Sequence, residues 1–141
     1  MMPDSVRILG FDPGTRIAGY GIIDAAAGGE LSVVSYGAIR LQPAGRKLPI
    51  SRRLRNLYEA LDEIVREHRP GALALEKIFH GRSFESVMKV GEARGIGLLV
   101  GSLHELEIEE YAATRVKKAV TGNGQASKSQ VQAMMTRLLD F

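Results

Sequence analysis

The stretch ILGFDPGTRIAGYGII, residues 8–23, constrains this chain most: an apolar run ends on Asp12 and is broken at once by Pro13-Gly14. Val6 to Phe11 is almost wholly apolar, the composition of a central strand covered on both faces. Pro13 fixes its own backbone angle and Gly14 offers a positive one, so the chain turns there. Ile17 to Ile23 then reads as a second strand, whose Gly19 and Gly21 leave room for something to approach the backbone closely. The expected unit is a hairpin with an acid at its mouth. Two chemistries use that arrangement: a carboxylate holding divalent metal for phosphodiester cleavage, and an acid beside a Gly-Thr turn that cradles nucleotide phosphates. An Asp that simply caps a turn is the plain alternative.

Glu76 favours the metal. It closes Ala72 to Leu75, a short apolar run bounded upstream by Pro70-Gly71 and read as another central strand. In open α/β sheets, sites form outside the carboxyl ends of adjacent strands, so Asp12 and Glu76 are expected across one cleft. Such paired carboxylates repel unless a cation lies between them. Magnesium suits the donors, being a hard ion that takes oxygen ligands and keeps part of its water shell for phosphates.

Composition narrows the classes. The 141 residues make one domain, and the absence of cysteine excludes a disulfide framework, thiolate catalysis and cysteine-ligated zinc. No segment is long and apolar enough to cross a bilayer, and no secretory leader opens the chain, so a cytoplasmic protein is expected. A net charge of +3 with clustered basic residues points weakly to a polyanionic partner.

Residues 30–41 have strand composition. The spacing of Leu54, Leu57, Tyr58, Leu61, Ile64 and Val65 predicts a helix that packs on the sheet and leaves Arg52, Arg53, Arg55 and Glu59 in water. The order strand, strand, strand, helix, strand indicates a meander continued by a crossover. In the loop after Glu76, Phe79 and Arg82 are expected beside the metal site; Phe79 either tucks against the next helix or stacks on a base of distorted or unpaired nucleic acid, and the lone His80 is given no role. A long helix is expected from about Phe84 to Leu106. Its glycines 91, 95, 97 and 101 imply close approach of another backbone, from the sheet or from a second subunit. Residues 107–112 are the expected last strand.

The tail holds a second constellation. Thr114 is expected to cap a short helix, and TGNGQA reads as a mobile glycine loop. Ser127 and Gln130 fit a capping box before an apolar stripe of Val131, Met134, Met135, Leu138 and Leu139. Lys128 falls in the first turn of that helix, where the dipole disfavours a cation unless an anion is near. A phosphate held by Lys128, the free backbone N–H groups and Lys117 or Lys118 answers this; two ordinary surface lysines is the plainer alternative.

Taken together and in order, ILGFDPGTRIAGYGII, LPISRRL, ALALEKIF, KVGEARGIGLL and EEYAATRVKKAVTGNGQASKSQVQAMM resemble the bacterial RuvC family of Holliday-junction resolvases, from about Ile8 to Leu139. The resemblance implies an α/β, ribonuclease H-like fold, a mixed five-stranded sheet flanked by helices, as one domain over residues 1–141. It also implies a homodimer and magnesium-dependent cleavage, with manganese as a substitute, of two symmetric strands at four-way junction DNA in recombination and repair. A branch-migration complex is the further implied partner, and no membrane. By position, Asp12 and Glu76 match two metal-binding acids, Phe79 an aromatic near the branch point, and Lys117 and Lys128 basic residues on the DNA backbone; Arg82 and Lys118 adjoin them. The family's site has four acids, two of them on a helix that follows the segment matched here. The 141-residue chain is therefore expected to be C-terminally truncated, and to bind junctions without cutting them.

Other readings stay open. The Asp-x-Gly-Thr hairpin is also similar to the phosphate loop of the actin, chaperone and sugar-kinase superfamily, which needs a second such domain. A ribonuclease H-like nuclease of ribosomal RNA maturation shares the opening hairpin, and a branched-DNA-binding module without chemistry is the third.

Overall fold

In the computed structural model, which describes residues 5–78 and 83–140, the opening hairpin forms the middle of the sheet. Strand β1 (Val6–Asp12) pairs antiparallel with β2 (Ile17–Ala25), and β2 with β3 (Leu31–Arg40). Helix α1 (Ile50–His68) carries the chain across, and β4 (Ala72–Glu76) returns parallel to β1 on its other side. Helix α2 (Phe84–Leu103) makes a second crossover to β5 (Glu107–Tyr111), parallel to β4. The strand order is β3-β2-β1-β4-β5. Two shorter helices, α3 (Ala113–Thr121) and α4 (Lys128–Leu139), follow. The mixed five-stranded sheet is the one the residue patterns predict.

Helices α1 and α2 cover one face. Leu9, Phe11, Ala18, Ile22, Leu73 and Leu75 pack there against Leu57, Leu61, Val65, Ala93 and Val100, all buried. Alternate residues of β1 and β4 point the other way, and Ile8, Gly10, Ala72 and Ala74 are only half-buried. The expectation that β1 is covered on both faces is thus corrected: helices pave one side, and the other carries an open groove. Small residues on the outward positions keep the apolar count high without needing a second full layer.

The glycines of α2 divide by partner. A Cβ at Gly97 would stand 2.6 Å from the Phe11 ring, and one at Gly101 2.9 Å from Leu73, so these two let the helix settle onto β1 and β4. Gly95 faces open space. The helix ends at Leu103 and the last strand at Tyr111, each slightly short of the expected bounds.

Two local expectations change. Arg53, expected in water, is 6% exposed; its Nε donates to the Leu48 carbonyl and a terminal nitrogen to the Thr15 carbonyl, each at 3.1 Å. Thr114 lies inside α3, and Ala112 is the N-cap residue with no side-chain cap bond. Residues 122–127 form the expected loop between α3 and α4, in which the Thr121 hydroxyl accepts from the Asn123 N–H at 3.1 Å and the Asn123 side chain from the Gln125 N–H at 2.9 Å. The capping box at the start of α4 is present as expected, Ser127 accepting from the Gln130 N–H and Gln130 from the Ser127 N–H.

At the opposite end of the sheet from Asp12, Arg7 bonds Asp24 through two nitrogens at 2.8 and 2.9 Å and reaches the His68 carbonyl at 3.0 Å, tying β1 and β2 to the end of α1. The hydrogen bonds from Arg7, more than its charge alone, hold the Asp24 carboxyl below its ordinary range. A carboxyl depressed in the folded state stabilises above its unfolded pKa near 3.9, and that contribution is lost as pH falls. Asp24→Asn is expected to cost about 1 kcal/mol at neutral pH. Urea denaturation should show the gap between wild type and variant shrinking below about pH 4.

Candidate functional site

Asp12 and Glu76 are each the last residue of their strand. The parallel register pairs Phe11 with Leu75, so the two acids occupy the next positions on neighbouring strands. Both point away from the buried side chains Phe11 and Leu75, onto the same face of the sheet. Both are exposed and line one cleft together with Pro13, Lys77, Ile78, Val87, Val90 and Arg94. Neither carboxylate makes a hydrogen bond or ion pair among the described residues. Two adjacent acids left free of protein partners are an oxygen-donor set suited to a hard divalent ion.

The hairpin turn that delivers Asp12 is fixed more tightly than a Pro-Gly pair requires. Gly14 has no positive φ, contrary to expectation; a Cβ there would stand 2.1 Å from the Ile17 carbonyl oxygen, so it is the close passage of the chain that demands glycine. The buried Arg53 guanidinium holds the next carbonyl, Thr15. Across the hairpin, Gly19 pairs with Asp12, and its missing side chain leaves the Asp12 Cβ 3.6 Å from where a Cβ would lie. That is ordinary van der Waals contact, and a Cβ at Gly21 would meet nothing within 4 Å, so no close approach within the chain requires either glycine.

Asp12 and Glu76 also stand at the edge of a broad groove on the open face of the sheet. Gly10, Gly19, Gly21, Gly37 and Ala74 contribute to it, with Tyr36, Tyr111 and Val116 as its larger side chains. Lys117 and Lys118 lie on α3 immediately after Val116, and Lys128 opens α4. None of the three lysines lines the acidic cleft itself. Phe79, His80 and Arg82 lie outside the described residues.

Arg94 was not singled out by sequence. It shares with Val87 and Val90 the helix face turned to the cleft, and its guanidinium pairs with Glu110 on β5. The available signal was an arginine at i+4 from Val90 on an otherwise apolar face.

A mixed sheet with antiparallel meander and two crossovers, presenting paired carboxylates at the ends of its two middle strands, defines a ribonuclease H-like α/β protein. The chain belongs to the RuvC family: the model "Crossover junction endodeoxyribonuclease RuvC" matches residues 8–141. It is 40% identical over 134 residues to that enzyme of Desulforamulus reducens, covering 95% of this chain and 80% of the relative. To the one from Alkaliphilus metalliredigens it is 42% identical over 134 residues, covering 95% and 79%. Among solved structures, T. thermophilus RuvC in complex with Holliday junction substrate superposes with a TM-score of 0.85 at 26% identity, over 96% of this chain and 81% of that one. The family is one of structure-specific endodeoxyribonucleases.

Proposed function

We propose that the Asp12–Glu76 cleft is the metal site of a Holliday-junction resolvase and that the chain's substrate is four-way junction DNA. The observation that carries this reading is the pair of adjacent, unengaged carboxylates at the ends of β1 and β4 in a member of this family. Magnesium, with manganese as a substitute, is the metal that the all-oxygen donors favour. Bound there, it would activate water and neutralise charge on the phosphodiester. Asp12 and Glu76 supply two ligands, and among the described residues no group of three or more acids or histidines could hold a metal. With Asp12 and Glu76 as its acids, the cleft is read as holding a junction without cutting it, since a two-metal site needs more carboxylates than this pair.

Lys117, Lys118 and Lys128 are read as contacts to the DNA backbone, and Phe79 and Arg82 as contacts near the branch point. Lys128 sits in the exposed first turn of α4, where an anion offsets the unfavourable dipole. A homodimer is supported by α2: Phe84, Met88, Leu99 and Leu103 are 80, 51, 47 and 58% exposed, with the open Gly95 on the same side. That apolar row is what a two-fold partner would cover. A cytoplasmic setting and a branch-migration complex as partner complete the reading.

Lys117→Ala and Lys128→Ala are each expected to weaken junction binding and to lower the salt slope by about one counterion. Phe79→Ala should cost on the order of 1 to 3 kcal/mol at an unchanged slope. Titrations of a labelled junction at several salt concentrations check this; three variants indistinguishable from wild type would put the DNA on another face.

A further inference from the structure

Asparagine is chemically labile where a glycine follows it, because the next backbone nitrogen carries no side chain in the way of its attack on the side-chain amide carbon. The chain has two asparagines, and of these Asn123 precedes a glycine. The fold treats them oppositely. Asn56 lies inside α1, where its Nδ2 donates to the Leu41 carbonyl at 2.9 Å and the Leu57 N–H belongs to the helical ladder. Asn123 is exposed in the loop between α3 and α4, and among the described residues neither its Nδ2 nor the Gly124 N–H makes a hydrogen bond. Its Oδ1 accepts from the Gln125 N–H at 2.9 Å, and its carbonyl from the Ala126 N–H at 3.1 Å. The first of these bonds draws electrons from the amide carbon and folds the side chain back along the next peptide. The surroundings give a change here its consequence. Residues 112–139 carry Arg115, Lys117, Lys118, Lys128 and Arg137 and no acid, so a carboxylate at 123 would be the first negative charge of that segment.

We propose that Asn123 is a site of spontaneous deamidation, and that its conversion weakens the grip of the α3–α4 segment on DNA. The Gly124 nitrogen gives its proton to hydroxide and bonds to the Asn123 side-chain carbon; Nδ2 takes up a proton and leaves as ammonia, and a cyclic imide results. Water then opens the imide at either carbonyl, giving aspartate or, where the backbone carbonyl is attacked, isoaspartate. Both products carry a carboxylate. Isoaspartate also lengthens the backbone of the turn, which disturbs the bonds that Asn123 makes with Gln125 and Ala126. The second half of the inference rests on the reading of Lys117, Lys118 and Lys128 as DNA contacts.

The test is to hold the 141-residue protein in mildly alkaline buffer, folded and unfolded in urea, and to follow the tryptic peptide of residues 119–128 by mass spectrometry. The amide-to-acid mass change is expected at Asn123 in both states, and at Asn56 not in the folded one. Gly124→Ala, whose Cβ would stand in ordinary contact 3.4 Å from the Thr114 carbonyl oxygen, keeps the fold and should slow the conversion several-fold. An Asn123 that converts in urea and stays intact in the folded protein, or a Gly124→Ala variant that converts as fast as wild type, would overturn the proposal. Junction binding is then titrated against salt before and after conversion, beside Asn123→Asp. The converted protein and Asn123→Asp should each bind about threefold more weakly, with a shallower salt dependence. Conversion with unchanged binding overturns the DNA half alone. A wild type that binds no junction before conversion overturns the lysine reading and the DNA half together, and the mass change still decides the first half.

Discussion

Gly97→Leu is expected to destabilise the protein by about 3 kcal/mol, lowering Tm by roughly 10 °C. A Cβ at this position would stand 2.6 and 2.7 Å from two atoms of the Phe11 ring, before any larger side chain is considered. Phe11 is 4% exposed and cannot swing aside into solvent. The helix must lift from β1, and with it Ala93 and Val100, which are buried in the same layer. Gly95→Ala is the control: its Cβ meets nothing within 4 Å, and removing a helical glycine there should stabilise by up to about 1 kcal/mol. Thermal unfolding of the two variants beside wild type separates close packing from helix propensity.

Arg53→Ala should be nearly as damaging, at about 3 kcal/mol, for a different reason. The guanidinium serves the Leu48 and Thr15 carbonyls at once, so truncation leaves two acceptors unpaired and a void under α1. Thr15 belongs to the turn that follows Asp12, so the loss also loosens the hairpin mouth. Arg53→Lys should rescue little, since an ammonium lacks the planar fork that spans two carbonyls. Chemical denaturation at neutral pH gives the cost directly. Arg55→Ala, whose partner Glu59 lies one helical turn away on the exposed face, should change stability by less than about 0.5 kcal/mol.

These two side chains mark where the residue pattern was legible and where it was not. Apolar runs and strand composition locate strands, and three-to-four spacing locates α1 and α4, because burial of apolar side chains sets these patterns; α1 and the β1–β2 hairpin fall where the pattern puts them. The same logic assigns Arg52, Arg53 and Arg55 to water. Arg53 escapes it because it sits at i−4 from Leu57, on the buried stripe, and its partners are backbone carbonyls distant in sequence. Composition carries no trace of such partners. Gly14 was legible as a turn residue but not in its cause, which is the nearness of the Ile17 carbonyl. Thr114 was assigned by residue type alone, and the chain starts α3 directly after β5, too early for it to cap.

For the site, Asp12 and Glu76 were legible because each acid ends an apolar run, and parallel pairing of those runs aligns their ends. Arg94 was not, since its neighbours in the cleft come from β1, β4 and α2 and its ion-pair partner from β5. The glycine-floored groove was half visible: Gly19 and Gly21 signalled close approach, and only the register adds Gly10 and Ala74 beside them.

The most direct test of the central claim is to incubate the 141-residue chain with a labelled four-way junction in magnesium or manganese, beside Asp12→Asn and a duplex of the same sequence. The account predicts a complex that prefers the junction over the duplex, with no strand cut by either protein. Equal affinity for duplex and junction would contradict the assigned substrate. Symmetric nicks that vanish in Asp12→Asn would contradict the claim that this pair of acids is too few, and would place a further carboxylate of residues 1–141 in the site.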